Sequence, residues 1–487
     1  MRGMTFLRNW SSFLKANAWF TAALSAALCS QQAYPQISQI GLQASNRLEY
    51  RLSWPEKNES FRNWLDADYY FGGVITGFRL QMTQPSDGVD VSQKIVQRYV
   101  EYSHSNLRLR VGNFYKRLGR GLIFHAFELQ KISLNRFEQN FIVDRNVDGV
   151  LLDWQSQRIS ATLFSGSPKW RPAKETLRAA AFTVRPRIWL SMGMNYLRSN
   201  NPSAQLYGEV KREFLSFSSE FTADWGSLYS EYAWQQGKEK RRRAVYLASN
   251  VFLGPVGLSA EWKDYKQFFT GYNNPPTLVK EHSFTLLNRH SHQVNLLDEI
   301  GMQLEATASL GPQTSLVVNY SRAENHKHEF SSLFEEKYLE LSKNWNETVA
   351  LRGAVDASRD RPVGEESRRT AVLEGDYYFP SRRSITVLIQ AQKLRNFYAH
   401  TEISNWLVMI GGNEPGRVSV YLQWEHSTSP LEKRSDWYQL NLNIKIGGTH
   451  DLFFTVGQRR AGLACASGQC RYVPEFRGVE FRLNSRF

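Results

Sequence analysis

The residues of this chain whose types could carry metal, proton-transfer or redox chemistry are ten histidines and a late pair of cysteines. His282, His290 and His292 sit near Glu281, and His326 and His328 follow in a second polar stretch. An H-x-H pair in a polar loop reads as polar filling, so no metal and no other cofactor is expected. No H-E-x-x-H, nucleophile elbow, P-loop or dinucleotide fingerprint occurs in a supporting context, and no His, Ser and Asp set can be assembled, so the chain does not read as an enzyme. Cys465 and Cys470 are separated by Ala-Ser-Gly-Gln, whose glycine permits the tight bend a disulfide needs.

Charge offers a different chemistry. Arg108, Arg110 and Arg120 precede Asp144, Asp148 and Asp153, with the aromatic stretch Arg117 to Asn146 lying among them. Folded inward across a pore, that stretch would set opposed cation and carboxylate rows, whose transverse field orients polar solutes. Phe124, Phe127, Phe137 and Phe141 support an inward fold, since phenylalanines on a wetted outer loop would be poorly placed.

The elements that would position these residues are strands. From Gln36 onward the dominant period is two. Tyr438, Leu440, Leu442, Ile444 and Ile446 alternate with Gln439, Asn441, Asn443 and Lys445; Val418, Val420, Leu422 and Trp424 alternate with Ser419, Tyr421, Gln423 and Glu425. Ile385, Val387 and Ile389, and Ile188, Leu190, Met192 and Met194, make further apolar rows. Runs of about ten residues match the length of a tilted membrane-crossing strand.

Aromatic residues make up 13% of the chain and are spread end to end, although mean hydropathy is −0.46. A barrel with one face on lipid and one on water produces this mixture.

Connection lengths point the same way. Short Gly, Pro, Asn or Ser clusters at Gly72-Gly73, Ser105-Asn106, Pro186, Asp224 to Gly226, Gly254-Pro255, Gly311-Pro312, Asn344 to Asn346, Pro380-Ser381, Gly412 to Gly416 and Gly447 to Thr449 reverse the chain. Longer polar stretches lie between them at Asp264 to Asn295, Glu324 to Ser332, Ser358 to Ser367, Thr428 to Ser435 and Ala461 to Pro474. Alternation of tight turns with long loops is the asymmetry of outer-membrane barrels. Counting on that rule predicts an all-β transmembrane antiparallel barrel of 24 strands, within a range of 22 to 26, with both termini periplasmic.

The two ends of the chain address it to that place. Arg2, Arg8 and Lys15 form a basic region, and Ala16 to Leu28 is an uncharged apolar core too short to span a bilayer as a helix. Residues 1–33 therefore read as a signal peptide, with the mature chain starting at Gln31 or Tyr34 and 34–487 forming one barrel. Leu28 stands where a lipoprotein signal needs a small residue, so Cys29 is read as discarded. At the other end Val479, Phe481 and Leu483 share one face, Glu480, Arg482 and Asn484 the other, and the chain ends on Phe487. This pattern resembles the recognition signal of outer-membrane barrels read by their assembly machinery, with Ser485 departing from the apolar row.

Gly112-Asn113-Phe114-Tyr115 followed by Gly119-Arg120-Gly121-Leu122 resembles an uncharacterised, domain-of-unknown-function family of large outer-membrane barrels. The resemblance implies the fold and the location and carries no activity with it.

The formal net charge of +14 is scattered, with one dense run from Lys238 through Lys240, Arg241 and Arg242 to Arg243 that reads as a solvated loop. No nucleic-acid signature accompanies it. The expected function is a porin-like channel for polar solutes, lodged among outer-membrane lipid and lipopolysaccharide. The alternative is a non-conducting scaffold serving a surface or secretion complex.

Overall fold

Strand Ser384–Asn396 shows how the period-two pattern becomes architecture. Ile385, Val387 and Ile389 are exposed on its outward face, whereas Leu388, Gln390 and Gln392 are buried inside. Side chains on a pleated strand alternate between faces, so each such strand sorts apolar groups outward without needing an apolar sequence overall.

The computed structural model describes residues 40–487 except 56, 85–91, 172–174, 202–209, 238–241 and 398–399. The signal-peptide reading, including Arg2, Arg8, Lys15 and Cys29, lies outside the described residues, as do Lys238, Lys240 and Arg241.

Twenty-four antiparallel strands form one sheet. The first, Ile40–Ser53, pairs with both the second, Asn58–Phe71, and the last, Phe476–Arg486, so the sheet closes on itself. Closure removes the unpaired edges that a sheet otherwise presents. Phe487 continues the seam: its amide donates to the Ala44 carbonyl at 2.8 Å, and the Ala44 amide donates back at 3.2 Å. Val479, Phe481 and Leu483 oppose Leu52, Tyr50 and Leu48 in register, and Glu480, Arg482 and Asn484 turn into the lumen.

At one end of the barrel the reversals are short, as at 72–73, 105–106, 188–189, 224–225, 254–255 and 312–313. At the other end the connections include 115–146, 267–297 and 460–475. The first strand begins and the last strand ends at the short-turn end.

Two connections differ from expectation. Strand Thr176–Arg187 runs through Pro186, with an irregular register between Val184 and Arg187, and the chain turns at Ile188-Trp189 instead. A proline survives in a strand where a bulge relieves it of a ladder hydrogen bond. Ser358 to Ser367 is no long loop: strands Val349–Asp360 and Glu365–Tyr378 extend through most of it. Its polar residues mimic a loop because Ser358, Asp360 and Glu365 are buried on the inner face, where they meet other polar groups.

Candidate functional site

The lumen is filled by connections from the long-loop end. Segment 115–146 leaves strand Leu107–Phe114, the fifth around the barrel, and forms two small hairpins, Arg117–Leu118 with Phe124–His125 and Glu128–Leu134 with Phe137–Asp144. Its ends are pinned together. The Asn113 side-chain amide donates to Asn146 Oδ1 at 2.7 Å, and the Tyr115 hydroxyl donates to Asp144 at 3.0 Å.

The glycine motif seats the first hairpin. Gly119 and Gly121 have φ of +55° and +86°, in the left-handed region that favours glycine. A side chain at Gly119 would collide with the Glu231 carboxylate on the wall, and one at Gly121 with the Asn274 carbonyl of the second inner loop. In place of that side chain, the Arg120 amide donates to Glu231 at 2.8 Å.

The second hairpin crosses the lumen. At its tip, Arg136 Nε is 2.5 Å from Glu374 and Arg136 Nη2 is 2.6 Å from Asp376, both carboxylates being buried on strand Glu365–Tyr378, the eighteenth around the barrel. Arg79 on the near wall joins Glu128 and Asp66, and Arg47 and Arg482 reach the backbone carbonyls of Gln130 and Glu138. The hairpin is thus tied to opposite walls.

Arg136→Ala is expected to leave Glu374 with Arg352 alone and Asp376 without a cation from this hairpin. Hydrogen exchange of 132–141 should rise roughly tenfold while the wall strands stay protected, less than a fully buried pair would lose because Arg136 is 39% exposed.

Loop 267–297 and hairpin 460–475 lie over this layer. Phe284, Leu286 and Leu287 pack on Tyr338, Leu388, Leu407 and Met409 of the wall. Asn288 clasps Cys465 through both its amide and its carbonyl, at 2.8 and 3.0 Å. Cys465 and Cys470 are register partners in strands Gly462–Ala466 and Gln469–Val473 and are joined by a disulfide.

The clustered histidines belong to this docking. His282 lies 3.1 Å from Glu336, His290 contacts Glu365, and His292 lies 3.1 Å from Asp360 and 3.4 Å from Glu299. His326 instead contacts Asp264 and Asp298 at the rim, and His328 is 3.0 Å from Glu324. Each histidine meets carboxylates, and among the described residues no group of three or more candidate ligands is placed to hold a metal ion.

Burial disfavours a charge on His292, but the Asp360 and Glu299 carboxylates outweigh it and hold its pKa up at about 9. A raised pKa stabilises the docked loop fully below the unfolded value of about 6.5, and the contribution fades as pH rises through about 9. Exchange at 288–295, corrected for intrinsic rates, should therefore accelerate on passing from neutral pH to about pH 10, and His292→Gln should abolish the pH dependence.

Of the six charged residues singled out from the sequence, Arg108, Arg110, Asp148 and Asp153 stand on the wall, and Arg120 and Asp144 belong to the inner segment. Arg108 and Asp153 are register partners on adjacent strands, 2.6 Å apart, and Lys116 shares the same carboxylate at 2.5 Å. Arg110 turns to Glu101 at 3.1 Å and stacks over Tyr99. Arg120 lies over Tyr229, with Glu220 at 3.9 Å. Asp144 accepts from Tyr115, Gln97 and Asn146, and Asp148 pairs with Lys169 at 2.9 Å. None of the three arginines meets its aspartate across the lumen; the one pair that forms is between neighbours.

Arg136, Glu231, Glu374, Asp376 and Arg79 carry no motif that marks them in the sequence. The only local signal was for Arg136, a cation at the tip of an aromatic segment.

The inner surface has two unlike halves. On strands from Val147 to Lys266, inward Leu151, Phe164, Leu177, Ala179, Leu197, Phe214, Ala233 and Ala244 are buried under Leu118, Leu122, Phe124, Phe268 and Tyr272 of the loops. Around the seam the inner face is charged instead. On that face Arg47, Arg51, Arg62, Arg459, Arg482 and Arg486 stand among Glu49, Asp66, Asp68, Asp451 and Glu480, and Arg51 is 40% exposed.

A model of a family of unknown function, DUF6029, matches residues 18–137 and 257–487. No curated protein matches the chain. Among solved structures, the translocation pore of the P pilus usher PapC aligns with a TM-score of 0.47 at 10% identity, covering 91% of this chain and 98% of that one. The siderophore receptor PirA from Pseudomonas aeruginosa aligns with a TM-score of 0.44 at 11% identity, covering 92% and 80%. OccK5 (OpdH) from Pseudomonas aeruginosa aligns with a TM-score of 0.36 at 13% identity, covering 77% and 97%.

Proposed function

The chain belongs to the DUF6029 family of unknown function, and from that premise we propose that it is an integral outer-membrane channel passing polar solutes, anions ahead of cations, through a lumen narrowed by its own loops. The observation that carries this reading is the charged, partly exposed inner face around the seam, where Arg51 is 40% exposed and Arg62 makes no ion pair among the described residues. A pore lined by uncompensated cations lowers the barrier for anions and raises it for cations.

Support for a membrane setting comes from the outward face. Phe182, Leu228, Leu304, Val355, Leu373, Ile410 and Leu422 are exposed there, a distribution that water would penalise and hydrocarbon favours. In this reading the short turns and both chain ends are periplasmic, the long loops face outward among lipopolysaccharide, and the row ending at Phe487 is read by the barrel-assembly machinery. The chemistry is passage and ion pairing, without a catalytic step or cofactor.

Planar-bilayer recording tests it. Purified barrel should show discrete conductance steps with a reversal potential displaced toward the anion potential in a salt gradient. Arg62→Glu, on the inner face beside Glu49, should shift that potential toward the cation value. Absence of any conductance step would sink the channel reading.

A second reading has one observation in its favour, the apolar packing of loops on the inner wall from Val147 to Lys266. Packing of that kind suits a non-conducting scaffold that serves a surface or secretion complex. The same recording separates the two.

A further inference from the structure

A groove of about 470 Å³ is cut into the outward face of the barrel where strands Thr176–Arg187, Leu190–Asn200, Lys211–Ala223, Gly226–Gln236 and Arg243–Leu253 run side by side. Phe182, Met192, Met194, Phe217, Tyr232 and Leu247 line it, all of them exposed. Ser219 and Ser230 are register partners within it, their hydroxyls 2.8 Å apart, and these two short side chains among large ones make the depression. Satisfying each other's hydrogen bonds lets the two serines face an apolar medium at little penalty.

Toward the long-loop end of the same strands, Arg178 and Arg198 are register partners on the outward face. Like charges directly opposite on neighbouring strands destabilise a sheet unless an anion offsets them. Glu213, the next partner in that row, approaches Arg198 at 3.5 Å, and Arg178 is exposed with no ion-pair partner among the described residues. Arg178 and Phe182 are four residues apart on one strand, so the cations stand about 13 Å from the groove at ~3.3 Å per residue. Tyr196 and Trp234 lie outward between the two levels, in the row joining Ala180 to Leu215, as amphipathic rings do at a membrane surface.

We propose that this face binds one phosphate-bearing membrane lipid, its phosphate on Arg178 and Arg198 and an acyl chain lying in the groove. The charge pair accounts for the headgroup and the groove for the chain, and the spacing between them is that between a lipid phosphate and its hydrocarbon. The inference rests on the barrel spanning a membrane, which recovery of the protein in the outer-membrane fraction of cells tests separately.

Native mass spectrometry of the full barrel in neutral detergent, with phosphatidylglycerol as the probe, reads the site directly. Wild type should retain one phosphatidylglycerol and much less phosphatidylcholine. Arg178→Gln with Arg198→Gln should lower retention roughly thirtyfold. Ser219→Phe with Ser230→Phe, which fills the groove, should lower it with both arginines intact. Arg369→Gln with Lys393→Gln removes the same charge from another outward register pair and should leave retention unchanged. Heat-modifiable electrophoretic mobility confirms that each variant is folded. Equal retention of phosphatidylcholine by wild type overturns the proposal whatever the variants do. So does equal loss in the Arg369 and Lys393 variant, or displacement of the lipid by an equal concentration of inorganic phosphate, which would mark a bare anion site.

Discussion

Deleting residues 122–141 is expected to raise single-channel conductance by about threefold, because the crossing hairpin occupies cross-section that a barrel of this strand number would otherwise leave open. The wall should survive the deletion. Strand Leu107–Phe114 keeps its ladders to Ser92–His104 and Val147–Gln155, and no wall strand pairs with the deleted segment. The deletion also removes Glu128 and Arg136 together. Arg79 keeps Asp66, Glu374 keeps Arg352, and water entering the vacated space solvates Asp376. Loop 267–297 loses its hydrogen bonds to Ile123, His125 and Asn135 but keeps its own anchors at Glu336, Glu365 and Asp360. Conductance that stays at the wild-type value in a correctly folded variant would contradict the constriction and leave the scaffold as the better account.

Phe481→Asp, combined with deletion of Phe487, is expected to cut the folded amount in the outer membrane severalfold. Phe481 sits mid-strand on the outward face, between Tyr50 of the first strand and Phe454 of its other neighbour. A carboxylate there would face hydrocarbon at up to about 2 kcal/mol, beside two apolar register partners. Removing Phe487 deletes both hydrogen bonds to Ala44, which extend the closing seam. The two changes act on the same closure, so their effects should exceed those of an aspartate at a lipid-facing site away from the seam, such as Leu373. Quantitative immunoblotting of heat-modifiable protein in outer-membrane fractions checks this. Unchanged surface abundance would mean that closure does not depend on this strand's apolar row.

The wall is legible in local pattern. Alternation such as Ile385, Val387, Ile389 against Thr386, Gln390, Gln392 is a property of neighbours two residues apart, so it can be read without knowing what lies opposite. The rhythm of short and long connections led to 24 strands for the same reason, since each turn is encoded by the few residues that make it. Cys465 and Cys470 also find each other locally, across one hairpin. The resemblance to a family of unknown function holds for the chain, and only the fold shows that Gly119 makes room for Glu231 and that Asn113 reaches Asn146.

Tertiary structure decided how the lumen is used. Arg108 pairs with Asp153 beside it, and Arg110 with Glu101, because strand order and register put those groups side by side; the sequence separation of the charges carries no such information. Arg136 and Asp376 meet over 240 residues of chain, which requires the fifth and eighteenth strands to stand on opposite sides of a closed wall. The polar run from Ser358 to Ser367 became strand for a related reason. Its buried Asp360 and Glu365 serve histidines from another loop, and a segment whose polar groups are satisfied by distant partners looks, residue by residue, like one satisfied by water.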